Sequence, residues 1–362
     1  MNAATPSELP DSAQLPVRPE RKAFYEAIRS HSMNPLWEVL HSLVPQEPAT
    51  SCVPCLWKYA AVRPHLMRAC ELVTAEEAVR RVLILENPGL TGRSSVTQSL
   101  FAGLQVIRPG EIAPSHRHTQ SALRFVVEGA GAYTAVDGER TTMRPGDFII
   151  TPSWAWHDHG SAAQGPVVWL DGLDIPMIRF FDAGFAQTDV QRSQTVSRAE
   201  GTSFARYGHN MVPVRHGAPF GATSPIFSYP YERSREALHE LERSAAVDSW
   251  DGVKLRYINP LTGGSPMPTM ATFMQRLPAA FKGKPYRQTD GAVFSVVEGS
   301  GAVTITRGEQ TWRFDFSPCD HFVIPSWHAA RFESDPGCVL FSYSDRPVHQ
   351  ALGIHREERM NS

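Results

Sequence analysis

Residues 110–160 read GEIAPSHRHTQSALRFVVEGAGAYTAVDGERTTMRPGDFIITPSWAWHDHG, and this stretch decides the fold. It begins with His116 and His118 and closes with His157 and His159, with alternating apolar runs and glycine-containing turns between the pairs. Residues two apart in an extended strand point to the same face, so His116 and His118 can aim at one point inside a barrel. A later strand of that barrel could bring His157 beside them. Imidazoles that converge in this way predict a metal site.

Short apolar runs continue on both sides of the histidine pairs. They are LFAGLQVI (100–107), LRFVVEG (123–129), AYTAV (132–136), DFIITP (147–152) and PVVWLDGLDI (166–175), with turns such as Pro109-Gly110 and Asp137-Gly138 between them. Strands at this spacing are typical of a β-sandwich or a jelly-roll barrel. The sequence therefore predicts a mainly β fold.

Helical patterns are confined to the flanking segments. Residues 1–19 are polar and predict a loose arm, and apolar residues at helical spacing follow over residues 21–43. A second helix is predicted over residues 74–85, with Thr74 as its N-cap and Glu77 three residues later. A third is predicted over residues 235–247.

The second half of the chain repeats the first. HRHTQSALRFVVEGAGAYTAV (116–136) aligns with YRQTDGAVFSVVEGSGAVTIT (286–306) without a gap, and FIITPSW (148–154) matches FVIPSW (322–327). Repetition of a whole barrel indicates two copies of one fold. The predicted segments are an arm with helices (1–95), a metal-binding barrel (96–180), a connector (181–265), a second barrel without a metal site (266–350) and a tail (351–362).

The copies differ at the positions expected to carry chemistry. Tyr286 replaces His116, Gln288 replaces His118, Phe294 replaces Arg124 and Ala330 replaces His157. His328 lies two residues before Ala330 and would be a lone imidazole, which is more often structural. Only the N-terminal barrel is expected to hold a metal.

Composition excludes several partners. The net charge of the 362 residues is −2, which argues against a nucleic-acid partner or an electrostatic membrane anchor. No apolar run is long enough to span a membrane, and the first residues lack the apolar core of a secretory signal. Five cysteines, including the pair Cys52 and Cys55, are expected to be reduced thiols in a cytoplasmic protein.

The motifs resemble those of a known enzyme family. The spacings from Gly110 to His116 and His118, and from Gly146 to His157, resemble the two motifs of the cupin superfamily, and the duplication resembles a bicupin. AGLQVIRPGE, SHRHTQSALRFVVEG, PSWAWHDHG, WLDGLDIP and LRYINPLTGG are similar to the gentisate 1,2-dioxygenase family, which includes salicylate and 1-hydroxy-2-naphthoate dioxygenases. The likeness covers most of residues 75–345 and implies two jelly-roll barrels with N-terminal and connecting helices.

The expected metal is one Fe(II) per chain, held by His116, His118 and His157. Many cupins carry a glutamate four or five residues after the second histidine, whereas Ala122 and Leu123 stand here, in agreement with the three-histidine branch. Three imidazoles leave about three octahedral positions free for a bidentate substrate and dioxygen. Iron is preferred because dioxygen chemistry needs a redox-active metal, and a structural zinc site is the alternative.

Five residues are expected to bind substrate. Arg124 lies six residues after His118, an even offset that puts it on the same face, and its planar fork suits a carboxylate. The resemblance implies that His159 is a catalytic pocket residue that contacts substrate or oxygen, with a fourth metal ligand as the alternative. Gln105 and Asp171 are expected to bond substrate or orient the imidazoles, with strand-end capping as the alternative. Arg80 resembles a family arginine that reaches the pocket, although Arg81 competes for that role.

Three aromatic residues complete the predicted site. Phe101 is expected to influence substrate choice, and Trp154 and Trp156 are expected to flank the metal, with one in the core and the other in the pocket wall. The resemblance implies cleavage of gentisate between C1 and C2 to maleylpyruvate, by a homotetramer. The alternatives are cleavage of a salicylate or of 1-hydroxy-2-naphthoate, and a non-catalytic bicupin that binds a small aromatic acid.

Overall fold

The computed structural model describes residues 18–215 and 221–361. Backbone contacts divide the chain into residues 1–49 and residues 50–362. Most of the predicted arm, residues 1–19, lies outside the described part of the chain. The described part of the first unit holds two helices, α1 Pro19–Arg29 and α2 Leu36–Leu43, joined by the hydrogen bond from Trp37 Nε1 to Tyr25 Oη at 2.8 Å.

Helices are a minor part of the second unit. The described helices are α3 Tyr59–Leu72, α4 Ala75–Ala78, α5 Ile175–Phe180, α6 Thr202–Tyr207, α7 Tyr231–Ser244 and α8 Arg346–Ala351. None of the helices in the described residues is long and apolar enough to cross a membrane.

The first barrel is built from two antiparallel sheets. Its strands are β2 Val82–Ile84, β3 Phe101–Ile107, β4 Ile112–His118, β5 Ala122–Glu128, β6 Ala132–Val136, β7 Glu139–Thr142, β8 Phe148–Thr151, β9 His157–Ser161, β10 Val167–Leu173, β11 Ala186–Thr188 and β12 Ser228–Tyr229. The strand orders are β12-β8-β5-β10-β3-β2 and β11-β4-β9-β6-β7.

The second barrel repeats this arrangement. Its strands are β1 Cys55–Trp57, β13 Val253–Arg256, β14 Ala271–Leu277, β15 Phe281–Lys282, β16 Tyr286–Gln288, β17 Ala292–Gly299, β18 Gly301–Arg307, β19 Gln310–Phe316, β20 His321–Ile324, β21 Ala329–Ser334, β22 Cys338–Ser344 and β23 Glu357–Arg359. The orders are β1-β20-β17-β22-β14-β13 and β19-β18-β21-β16-β23, and β15 pairs with β21. The mainly β bicupin fold predicted from the sequence is confirmed.

Strand alternation gives the first barrel an inner and an outer face. Ile107, Val126 and Trp169 meet in an apolar cluster inside the barrel. The intervening residues of the same strands, such as Leu104 and Phe125, belong to a larger core that also contains side chains of the second barrel. The two barrels therefore share one core through their outer faces.

Strand register shows that the repeat holds in three dimensions. His116 lies opposite His157 on β4 and β9, and Tyr286 lies opposite Ala330 on β16 and β21. The replacement of both histidines in the second barrel is thus a replacement at equivalent places. An edge strand, β11, pairs with β4 in the first barrel, and β23 pairs with β16 at the equivalent edge of the second. The duplicated unit therefore includes β23, which lies in the predicted tail.

One prediction about the N-terminal segment is wrong. The helix predicted over residues 74–85 ends after one turn at Ala78, and residues 82–84 form β2 instead. Its predicted start is nevertheless correct, because Thr74 and Glu77 form a reciprocal capping box. Two strands of the predicted arm with helices take part in the barrel sheets, because β1 pairs with β20 of the second barrel and β2 pairs with β3 of the first.

Candidate metal centre and substrate pocket

Three histidines converge at one end of the first barrel. His116 and His118 come from β4 and His157 from β9, and one ring nitrogen of each lies within 4.8 Å of the others. Among the described residues, this is the one group of histidine, cysteine or carboxylate side chains with a geometry suited to a metal ion. The two-residue period of β4 and the pairing of His116 with His157 produce this convergence.

The free nitrogens of these rings suit a cation. Nδ1 of His118 lies 2.9 Å from the carbonyl oxygen of Gln120, and Nδ1 of His157 lies 3.0 Å from that of Ala155. A carbonyl oxygen only accepts, so each Nδ1 carries the proton and each Nε2 keeps its lone pair. Nε2 of His157 is buried without a hydrogen-bond partner among the described residues. Such an orphaned acceptor fits a divalent metal.

Burial keeps the three rings neutral. It lowers the pKa of His116 to about 3, with the nearby Arg80 charge adding to the effect, and the pKa of His118 to about 4. The pKa of His157 is also well below its usual value, chiefly because of burial. Neutral imidazole is the form that binds a metal, so at neutral pH no proton has to leave.

The structure distinguishes Arg80 from Arg81. Nη2 of Arg80 lies 2.5 Å from Nδ1 of His116 and donates to the carbonyl oxygen of Pro114 at 2.7 Å. Arg81 points elsewhere and pairs with Glu111 at 2.9 Å. The backbone turns sharply at Val79, whose φ of +55° is unusual for a β-branched residue. That turn delivers Arg80, and not its neighbour, to the histidines.

Arg124 lies inside the barrel with three polar neighbours. Its Nη1 donates to Thr151 Oγ1 at 2.5 Å, its Nη2 lies 3.0 Å from His159 Nε2, and its Nε lies 3.6 Å from Asp171 Oδ1. Nε makes no hydrogen bond to any described residue. A buried guanidinium with an unused donor is suited to an anionic ligand.

His159 uses both ring nitrogens for contacts with protein side chains. Nε2 faces Arg124, and Nδ1 lies 3.0 Å from Thr134 Oγ1. The ring is fully buried and has no ring nitrogen free of protein contacts, unlike His118 and His157. This arrangement favours a role in the pocket wall over that of a fourth metal ligand.

Asp171 and Gln105 lie on the same inner face. Asp171 is paired in register with Arg124, and its Oδ1 accepts a hydrogen bond from Trp169 Nε1 at 3.0 Å. Burial raises the pKa of Asp171 to about 6, against the opposing effect of Arg124. Gln105 lies opposite Trp169 on β3, and Gln275 takes the equivalent position opposite Leu340 in the second barrel. A glutamine therefore occurs at this place also in the barrel that lacks the histidine cluster.

The ring of Phe101 occupies space that a side chain at Gly103 would fill. A Cβ on Gly103 would lie 3.1 Å from the Phe101 ring and 2.5 Å from Cγ1 of Val82. The absence of a side chain at Gly103 thus allows the aromatic ring and β2 to approach each other. Val82 was not among the predicted residues, because it fell in the segment assigned to a helix.

The prediction for Trp154 and Trp156 needs correction. Both indoles stack on the guanidinium of Arg117, with centroid distances of 4.5 and 4.6 Å. Arg117 alternates with His116 and His118 on β4, so its side chain points away from the pocket. Trp154 adopts a φ of +64° in the turn between β8 and β9.

Thr134, Thr151 and Met143 were not predicted to belong to the site. Thr134 and Thr151 are fully buried beside His159 and Arg124, and Met143 lies behind Thr134. Threonine is common in strands, so nothing about either residue type singled it out. The one available signal was that Thr134 and Thr151 lie in β6 and β8, the strands that pair with β9 and β5, which carry His159 and Arg124.

The fold and the histidine cluster together define a double cupin. Residues 103–173, within the first barrel, match the family model described as a cupin domain. A gentisate 1,2-dioxygenase of Aquipseudomonas alcaligenes is 52% identical over 343 residues, which cover 95% of this chain and 97% of that protein. The 1-hydroxy-2-naphthoate 1,2-dioxygenase of Nocardioides sp. strain KP7 is 36% identical over 317 residues, covering 86% of this chain and 80% of the relative.

The same relationship holds for solved structures. The crystal structure of salicylate 1,2-dioxygenase from Pseudoaminobacter salicylatoxidans, described as adducts with gentisate, matches with a TM-score of 0.89 and 33% identity over 97% of both chains. The chain belongs to the gentisate 1,2-dioxygenase family of ring-cleaving oxidoreductases.

Proposed function

We propose that this chain binds one Fe(II) in the N-terminal barrel and opens gentisate between C1 and C2 with dioxygen, giving maleylpyruvate. The observation that carries the metal assignment is the cluster of His116, His118 and His157, with its orphaned Nε2. The 52% identity to a protein named gentisate 1,2 dioxygenase 1 favours gentisate over other hydroxybenzoates.

The charges of the pocket favour an anionic substrate. The three proposed ligands are neutral, and Arg80 and Arg124 add two positive charges, with the buried carboxylates of Asp171 and Asp158 near them. A bound divalent cation would raise the positive charge further. Gentisate could neutralise part of it through its carboxylate and its 2-hydroxyl, with the carboxylate received by the unused Nε of Arg124.

Each proposed group has a limited task. Fe(II), when bound, would supply the redox chemistry with dioxygen that no side chain provides. The three histidines would fix its position, and Arg124 and His159 would orient the substrate. Arg80, from the turn at Val79, would add a second positive charge at the metal side of the pocket. Gln105, Asp171 and Phe101 would limit how the ring is placed.

Oxygen consumption tests the proposal. The protein is purified without oxygen, loaded with Fe(II) and given gentisate, salicylate or 1-hydroxy-2-naphthoate in an oxygen electrode. We expect the fastest uptake with gentisate. Faster uptake with salicylate or the naphthoate would support the second candidate, which the relatives and structures of those names suggest. No uptake with any of the three would favour a non-catalytic binder.

A single substitution tests the metal assignment. His118→Ala removes one of three ligands, so we expect loss of bound iron, measured by elemental analysis, together with loss of turnover. His328→Ala, in the second barrel, is the matched control and should retain both iron and activity. Full activity in His118→Ala would exclude the proposed ligand set. The homotetramer and the cytoplasmic location stay predictions, the first to be measured by light scattering.

A further inference from the structure

A chain of hydrogen bonds runs from Arg124 into the barrel core. Arg124 Nη2 lies 3.0 Å from His159 Nε2, His159 Nδ1 lies 3.0 Å from Thr134 Oγ1, and Thr134 Oγ1 lies 3.6 Å from Met143 Sδ. Thr134 and His159 are paired in register on β6 and β9, and both are fully buried.

Chemistry fixes the direction of every bond in this chain. A guanidinium has donors and no acceptor, so Nε2 of His159 must accept from Arg124. The proton of the neutral ring is therefore on Nδ1, which donates to the Thr134 oxygen. The Thr134 hydroxyl then donates to the sulfur of Met143, a weak acceptor. Arg124 thus selects the tautomer of His159, and Thr134 supplies the acceptor that this tautomer needs at Nδ1.

We infer that Thr134 is a positioning residue, which accepts from Nδ1 of His159, holds that ring against Arg124 and thereby aims Arg124 at the carboxylate of the substrate. This inference rests on the proposed function. Thr151 holds the guanidinium from the other side, through the 2.5 Å bond to Nη1. With both ends of the fork held by the barrel, Nε makes no hydrogen bond to a described residue, although Asp171 Oδ1 lies 3.6 Å from it. A carboxylate of the substrate would complete the hydrogen bonds of this guanidinium.

The second barrel provides an internal comparison. Phe294 takes the place of Arg124, and Phe332, two residues after Ala330, takes that of His159. Val303 lies opposite Phe332 as Thr134 lies opposite His159, so the strand register is shifted by one residue here from the gapless sequence alignment, which matches Thr134 with Thr304. Ile324 lies opposite Ala292 as Thr151 lies opposite Ala122.

All four replacements are apolar and belong to the core of the second barrel. The rings of Phe294 and Phe332, 5.5 Å apart, stand where Arg124 and His159 meet in the first barrel. The fold therefore does not need the two threonines. They are present in the barrel that has the histidine cluster, and they are absent as a set from the barrel that has lost it.

Ligand binding to two threonine variants tests the inference. Thr134→Val removes the hydroxyl that accepts from His159 and keeps nearly the same side-chain shape. Valine is also the residue at the equivalent place in the second barrel. Thr134→Ser keeps a hydroxyl. The probes are salicylate, which offers a carboxylate, and catechol, which can chelate a metal without one. Dissociation constants are measured by anaerobic calorimetry on the Fe(II)-loaded proteins. In Thr134→Val we expect about tenfold weaker binding of salicylate and a change of less than about twofold for catechol.

The conservative variant separates positioning from packing. Thr134→Ser should recover most of the affinity for salicylate, and bound iron should stay equal in all variants. Thr304→Val, on β18 of the second barrel, faces away from that barrel's core and is the matched control; it should leave both constants at the wild-type values. Thr151→Val is measured in parallel and should show the same selective loss, so the inference stays testable if Thr134→Val does not fold.

Several results would overturn the inference. Equal weakening of salicylate and catechol, loss of iron, unchanged binding in both valine variants, or a serine variant as weak as the valine variant would each assign the threonines to packing alone. The outcome is independent of turnover. If wild-type protein binds salicylate but consumes no oxygen with any substrate, the proposed function fails while the binding comparison still decides the role of Thr134.

Discussion

At the scale of single residues, Arg124 is the side chain whose environment is hardest to explain by folding alone. It is only 4% exposed, and burial lowers the pKa of its guanidinium while the neighbouring Asp171 opposes that effect. A buried cation with an unused donor costs free energy unless an anion completes its contacts. Substrate binding would supply that anion.

Replacement of Arg124 should therefore weaken substrate binding far more than it weakens the metal site. For Arg124→Gln we expect a loss of about 2–3 kcal/mol, or roughly 30- to 150-fold in kcat/KM for gentisate, with bound iron unchanged. Arg124→Lys should lie between this variant and the wild type, because it keeps the charge and loses the planar fork. Steady-state oxygen uptake gives the values.

An exposed arginine is the control for that experiment. Arg331 lies on β21 of the second barrel with its side chain in solvent, so Arg331→Gln should leave kcat/KM unchanged. An Arg124→Gln enzyme with wild-type KM would show that the carboxylate is received elsewhere in the pocket.

The direction of a side chain could be predicted from sequence within a regular strand, and it could not be predicted beyond an irregular turn. His116 and His118 share one face because an even offset does so within the single strand β4, whereas Arg124 lies on β5, beyond a turn, where the offset from His118 does not fix its direction. The choice between Arg80 and Arg81 depended on the turn at Val79, and a β-branched residue gives no warning of a positive φ.

At the scale of elements, β20 carries a histidine in an unusual environment. His321 is fully buried, and neither ring nitrogen has a hydrogen-bond partner among the residues that the structure describes. Ser295, its register partner on β17, also has a buried hydroxyl without a partner in that set. Burial lowers the pKa of His321 to about 4, although the nearby Asp320 opposes the shift.

His321 should make the protein sensitive to acid. In the unfolded chain its ring takes up a proton near the ordinary pKa of 6.5, whereas the folded ring does so only near 4. Between these values the unfolded state binds more protons, so the stability from this residue is full above about pH 6.5 and is lost as the pH falls towards 4. For a shift of this size the loss is roughly 3 kcal/mol.

Removal of the imidazole should remove that dependence. As the pH falls from 6.5 to 4, we expect the unfolding free energy of the wild type to fall more than that of His321→Leu. The variant therefore becomes more stable relative to the wild type at lower pH. Urea unfolding of the metal-free protein at several pH values measures it. His65→Gln, at an exposed position on α3, should leave the pH profile unchanged, and a His321→Leu profile parallel to wild type would contradict the expectation.

Helices and strands could be predicted from sequence where a clear pattern of apolar residues and turns lies within a short segment. The barrel strands follow from apolar runs bounded by turns, and the repeat confirms their number. The apolar run of residues 82–85 was assigned to a helix because short apolar runs suit both structures, and pairing with β3 decides for a strand. Helix α3 was missed because Pro64 lies inside it, where a proline normally interrupts a helix.

At the scale of the whole molecule, the two barrels form a single cooperative core. The rings of Phe125 and Phe341, one from each barrel, stack at a centroid distance of 4.1 Å with an interplanar angle of 6°. Both side chains belong to the largest apolar cluster of the described chain. This shared core gives the second barrel a structural role that does not depend on any metal.

Truncation of Phe341 should destabilise both barrels together. We expect Phe341→Ala to lower the free energy of unfolding by about 3–5 kcal/mol, and Phe341→Leu, which keeps most of the volume, by about 1 kcal/mol. Denaturant unfolding followed by tryptophan fluorescence and by circular dichroism should give coincident single transitions. Separate transitions for the two signals would show that the barrels unfold independently.

The position of β1 has a consequence for biosynthesis. This first strand pairs with β20 of the second barrel, and the backbone NH of Tyr59 donates to Asp320, 261 residues later. At typical rates of translation the ribosome needs roughly 13–50 s to make that length of polypeptide. During this time all the strands of the first barrel leave the exit tunnel and can pair, while β1 is still an open edge on a nascent chain. A chaperone that shields exposed strand edges would therefore find its target next to an almost finished catalytic barrel.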